Sequence, residues 1–118
     1  MSSEELGQLW QAYRSRLVSD SLNGYDSYYP EKTVRILDAC CASEILRNLF
    51  PYISIGRLGI WRVHPDEVGY PDFFWCFHGS EDAYVVSNYA DIKKLFFDTP
   101  EAAVAFVEQH LYDKNPFA

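Results

Sequence analysis

The sequence is short of basic residues: ten Lys and Arg stand against seventeen Asp and Glu, for a formal net charge of −7. A protein that grips nucleic acid needs a basic face to displace counterions, so this balance excludes that class and fits a basic partner instead. Long apolar runs are missing as well, which excludes a transmembrane helix. The opening Met1-Ser2-Ser3-Glu4-Glu5 has neither the basic nor the apolar region of a secretory signal. Cysteine is scarce and odd in number, at three. Cys40 and Cys41 are adjacent, a poor geometry for bridging to each other, so the expectation is three free thiols in a reducing, cytoplasmic compartment. There is no phosphate-binding glycine pattern, no paired zinc-ligand spacing, no internal repeat and no low-complexity tract.

What the chain does have is aromatic residues: nine Tyr, eight Phe and three Trp, 17% of its 118 residues. With 48% hydrophobic and 23% charged residues it has the composition of a globular protein, and its length suits one domain over 1–118 with a core of its own.

Ser2-x-x-Glu5 is a capping box, and Leu6, Leu9, Trp10, Tyr13 and Leu17 follow at helical spacing, which predicts a first helix from about Ser3 to Ser19. Pro30 and Glu31 suit the first turn of a second helix. Its stripe Val34, Leu37, Cys41, Ile45 and Leu49 carries it to Leu49, before Pro51. Beyond that point the period shortens. Ile53 to Val63, bent at its glycines, reads as a first strand. The segment from His64 to Pro71 reads as a loop, and Phe73 to His78 and Ala83 to Ser87 as a hairpin around Gly79-Ser80-Glu81-Asp82. Ile92 to Phe97 is the fourth strand. Thr99-Pro100-Glu101 then starts a last helix with an N-cap, a proline and an acid in sequence, and Ala103, Phe106, Val107, His110 and Leu111 continue it. The expected architecture is α+β, in the order α-α-β-β-β-β-α, with a four-stranded antiparallel meander.

Chemistry is harder to find. Cys76 and His78 lie two apart on one strand and could pair as nucleophile and base, but they sit among Phe73, Phe74, Trp75 and Phe77, where cysteine is ordinary core filler. His64, Asp66 and Glu67 lack the close pairing of a metal site, and a solvated acidic loop accounts for them; no metal or other cofactor is expected. Cys41 falls on the apolar stripe, so a redox role for it would require a lowered pKa.

Surfaces say more. Tyr25-Asp26-Ser27-Tyr28-Tyr29-Pro30-Glu31 places three tyrosines and two acids in seven residues, and Asp66, Glu67 and Tyr70 repeat that mixture in a second loop. Tyrosine offers contact area at low entropy cost with a polar tip, which suits an interface. One of the three rings is expected to fold back on the body of the protein. The others, with their acids, form a candidate partner-binding surface: Tyr25, Asp26, Tyr28, Tyr29, Glu31, Asp66, Glu67 and Tyr70.

The segments "LRNLFPYISIGRLGIWRV" (Leu46 to Val63) and "FFDTPEAAVAFVEQHL" (Phe96 to Leu111) resemble a family of small bacterial domains found near polymorphic-toxin and natural-product genes. The resemblance covers about half the chain, in a helix end, a strand and a capped final helix, and carries over no catalytic residue. It implies a bacterial origin and an immunity-type protein that binds and neutralises a toxin domain. The alternative is a small enzyme or ligand-binding protein of a biosynthetic cluster, using a sheet–helix pocket near Cys76 and His78.

Overall fold

In the computed structural model, which describes residues 2–24, 29–54, 56–61, 74–88 and 93–111, the chain starts as expected. The Ser2 hydroxyl accepts the Glu5 amide at 3.1 Å and the Glu5 carboxylate reaches back to the Ser2 amide at 3.4 Å. That reciprocal cap opens helix α1, Ser3–Leu22. Leu6, Trp10 and Leu17 are its buried residues. The Trp10 indole N–H donates to the Arg47 carbonyl at 3.1 Å, so a large ring is buried without an unmet donor.

Helix α2, Pro30–Ala42, is shorter than its pattern predicts. It ends because Ser43, itself buried, turns its hydroxyl to the Leu46 amide at 3.0 Å and caps a separate 3-10 turn, Leu46–Asn48. A serine that satisfies a local amide competes with helix continuation, and here it wins over the apolar stripe. The rotation of α2 also differs from the sequence reading. Thr33, Ile36, Leu37 and Cys40 point inward with no exposed surface, while Val34 and Cys41 are only partly buried. Cys40 rather than Cys41 is therefore the core cysteine.

Among the described residues the sheet has five strands, not four. The stretch expected as one bent strand is a hairpin: β1, Phe50–Ser54, and β2, Arg57–Trp61, pair antiparallel with Ser54 opposite Arg57. Gly56, at a φ of 72°, supplies the left-handed residue that such a tight turn needs. Strand β3, Phe74–Gly79, and β4, Tyr84–Asn88, form the expected hairpin, followed by β5, Lys94–Phe97. The order β1-β2-β3-β4-β5 is a meander, antiparallel throughout. Helix α3, Pro100–His110, begins where Thr99 accepts the Ala102 amide at 3.1 Å.

Alternation along the strands separates two faces. One carries Leu58, Ile60, Trp75, Phe77, Tyr84 and Val86 into a core shared with α1, α2 and α3. Trp75 meets Phe106 edge-to-face at 5.9 Å, a favourable aromatic geometry. At one end of this face α2 comes very close to the sheet. A Cβ on Gly79 would lie 2.6 Å from the Lys32 Cβ and 2.9 Å from the Tyr29 Cβ, so only glycine fits there. The opposite face presents Gly59, Cys76, His78, Val85 and Ser87. Among the described residues, no helix is long and apolar enough to cross a membrane.

Candidate functional site

A concavity of about 900 Å³ among the described residues is an open groove between α2 and α3. Each helix contributes one side. On α2, Glu31, Arg35, Asp38 and Ala42 recur at intervals of four, three and four, which places them on a single outward stripe. On α3, Glu101, Val104 and Glu108 recur at three and four in the same way. The short segment after α2 adds Glu44 and Ile45. The groove is lined by four carboxylates (Asp38, Glu44, Glu101 and Glu108) against one guanidinium, that of Arg35. Ala39, Ala42, Val104 and Ile45 give it an apolar floor, and Ile45 is 47% exposed.

Two contacts fix its geometry. Arg35 Nη1 donates to the buried Tyr84 hydroxyl at 3.2 Å, tying α2 to β4 and anchoring the only base of the lining. Arg14 holds Asp38 through two bonds, Nε to Oδ1 at 2.7 Å and Nη2 to Oδ2 at 3.1 Å. The fork geometry orients the carboxylate and raises the Arg14 pKa. Glu44 and Glu101 are exposed and Glu108 half-buried.

Of the residues singled out in the sequence, Tyr29 caps α2 and Glu31 begins its outward stripe, neither lining the groove, whereas Tyr25, Asp26, Tyr28, Asp66, Glu67 and Tyr70 fall outside the described residues, as does His64. Tyr29 is the N-cap of α2 and adopts a left-handed backbone, φ 52° and ψ 70°. That conformation is uncommon for a bulky side chain. Its carbonyl accepts the Lys32 amide at 2.9 Å, and its half-buried side chain folds back towards the end of β3. Lys32 Nζ sits 6.0 Å from the Tyr29 ring centre and 5.3 Å from that of Tyr84, linking the two rings through one cation. Glu31 is exposed in the first turn of α2, close enough to Arg35 for its charge to act on that guanidinium.

Among the described residues, Cys76 and His78 lie on the side of the sheet away from the helices. Their neighbours Trp75 and Phe77 occupy the helix side, so both point to the opposite face, where Cys76 lies across from Ser87 in the ladder. The ring of His78 engages the Gly79 carbonyl through Nδ1 at 2.8 Å. All three cysteines are free thiols. Burial, with the charges of Cys41 and Glu108 adding to it, pushes the Cys40 thiol well above its ordinary pKa. Burial and Asp38 raise that of Cys41, against the opposing effect of Arg14. Neither has the lowered pKa of a reactive cysteine. No group of three His, Cys, Asp or Glu among the described residues is placed to hold a metal ion.

The groove was missed in the sequence. Glu101 and Glu108, seven apart on one helix face, were the available signal, but their meeting with Asp38 and Glu44 is a product of how α2 and α3 dock. Comparison of the chain with protein-family models, curated proteins and solved structures gives no match.

Proposed function

We propose that this protein is an immunity-type inhibitor that binds a basic bacterial toxin domain, with the α2–α3 groove as the centre of the contact. The observation that carries the reading is the groove's combination of an acidic rim and an apolar floor around an exposed Ile45. Complementary charge steers a basic partner to the rim, and the apolar floor supplies the desolvated contact that holds it. Tyr29 and Glu31 extend the same surface towards the N-terminus of α2. Tyr25, Asp26 and Tyr28 immediately precede them in the chain and join the proposed contact, as do Asp66, Glu67 and Tyr70 of the second acidic-aromatic loop. The left-handed backbone at Tyr29 supports a functional role for this end of α2, because such conformations cluster where function requires them.

The test is protection. Cells expressing the basic toxin domain encoded beside this gene should survive when this chain is co-expressed, and Ile45→Asp, which places a buried charge at the contact, should abolish survival while the variant still folds. A neighbouring toxin domain that neither binds nor is neutralised would overturn the reading. The groove's volume, within the range of small-molecule sites, would then favour a ligand-binding protein of a biosynthetic cluster.

A further inference from the structure

The two ends of the sheet are protected unequally. Strand β1 carries Pro51, which has no N–H to offer a neighbouring strand, a common guard on an edge. Strand β5 carries no proline, and among the described residues it is paired on one side only, with β4. Its outer backbone groups are the kind of template that takes up another strand. The side chains say which strand. Lys94 and Phe96 lie on the face turned away from the helices, and Asp98 follows two residues beyond Phe96, at the bend that ends the strand. Lys94 and Asp98 are exposed, and Phe96 is 64% exposed, the largest aromatic exposure among the described residues.

This triplet is self-complementary. If two copies of β5 align antiparallel about a two-fold axis at Phe96, each Phe96 meets the other and each Lys94 stands opposite Asp98 of the partner. Leu95 stands opposite Phe97 on the helix side, where both are half-buried. Lysine on an edge ordinarily repels strand addition. Here the acid two residues past the ring gives each lysine an opposite charge in one register and leaves it without one in a register shifted by one residue. We propose that β5 is the interface of a homodimer, pairing antiparallel with β5 of a second copy to join two five-stranded sheets into one. Such a contact is isologous, the commonest symmetry of small oligomers. Four strand residues per copy make a small interface, so the dimer is weak and concentration-dependent rather than permanent.

Charge exchange tests the register. Lys94→Asp alone sets Asp against Asp98 across the axis, and Asp98→Lys alone sets Lys94 against Lys. Each variant should weaken self-association by roughly tenfold or more in sedimentation equilibrium, from the loss of two attractive cross-strand pairs and the gain of two repulsive ones. Mixed in equal amounts, the two variants should form a heterodimer as stable as the wild-type dimer, since both cross-axis pairs are again of opposite sign. Far-UV circular dichroism verifies that both remain folded. A wild-type chain that sediments as a monomer at every concentration overturns the proposal, and so does a dimer indifferent to both substitutions. Protection of β5 amides that occurs only when a toxin domain is bound assigns the edge to that partner and overturns it equally.

Discussion

The two sides of α2 differ sharply. Its inner side presents Thr33, Ile36, Leu37 and Cys40, all without exposed area. Its outer side, one helix diameter away, presents Glu31, Arg35 and Asp38 to solvent. Inner residues are held by neighbours on the sheet and on α3, so changing them leaves a hole or a clash in a close-packed interior. Outer residues are exposed and make polar contacts at the surface, Asp38 with Arg14 and Arg35 with the Tyr84 hydroxyl, so changing them chiefly alters the potential that a partner would meet. Under the proposed function, stability belongs to one side and recognition to the other, and substitutions should separate the two.

The largest effect is expected inside. Leu37→Ala should destabilise the fold by about 2–5 kcal/mol in chemical denaturation, the usual cost of a large-to-small change at a fully buried leucine. The affinity of the molecules that remain folded should not change. A loss of affinity in that folded fraction would show that the inner side also shapes the groove. A smaller effect is expected where α2 approaches the sheet. Gly79→Ala drives a methyl group into the Cβ atoms of Lys32 and Tyr29, both closer than 3 Å in the present geometry. Its cost should be about 1–3 kcal/mol. Because Tyr29 would have to move, this variant should also lower affinity, making it the exception that joins the two sides. The smallest effect on stability belongs outside. Asp38→Asn removes the ion pair with Arg14, whose partners are 40% and 49% exposed, and should change the unfolding free energy by less than about 1 kcal/mol. A larger loss would mean that the outer stripe helps to hold the fold and that the division is wrong.

Much of the fold was legible because its signals are local. The capping box at Ser2 and Glu5, the Thr99-Pro100-Glu101 start of α3 and the turn after Gly79 each need only a few neighbouring residues to be recognised. The α+β class follows from where the helical and strand periods lie. What escaped depends on distant contacts. Cys40 and Cys41 lie about 100° apart around the helix, and which of them is buried depends on how α2 is rotated against the sheet. The end of α2 is the exception, a local cap from the Ser43 hydroxyl to the Leu46 amide that the apolar stripe running through it obscured. The extra strand arises because Pro51 is acceptable in β1, an edge strand, although a proline there argues against an interior one. The groove was the least legible feature, since its two walls are about sixty residues apart in the chain and each alone looks like a solvated helix face. Of the surface expected from the tyrosine-rich loop, only Tyr29 and Glu31 fall among the described residues, and neither lines the groove.

The most direct test of the account is the association rate between this protein and the basic toxin domain proposed as its partner, measured across a range of salt concentrations for the wild type and for Glu44→Gln/Glu101→Gln/Glu108→Gln. The three glutamates supply most of the groove's negative charge and, being exposed or half-buried, little of its stability. Complementary charge acts chiefly on encounter, and salt screens it. The wild type should therefore associate fast at low salt and slow steeply as salt rises, whereas the triple variant should start slower and show a much flatter dependence, with little change in dissociation rate. Identical association rates and identical salt dependence in the two proteins would contradict the claim that this groove is where the partner is received.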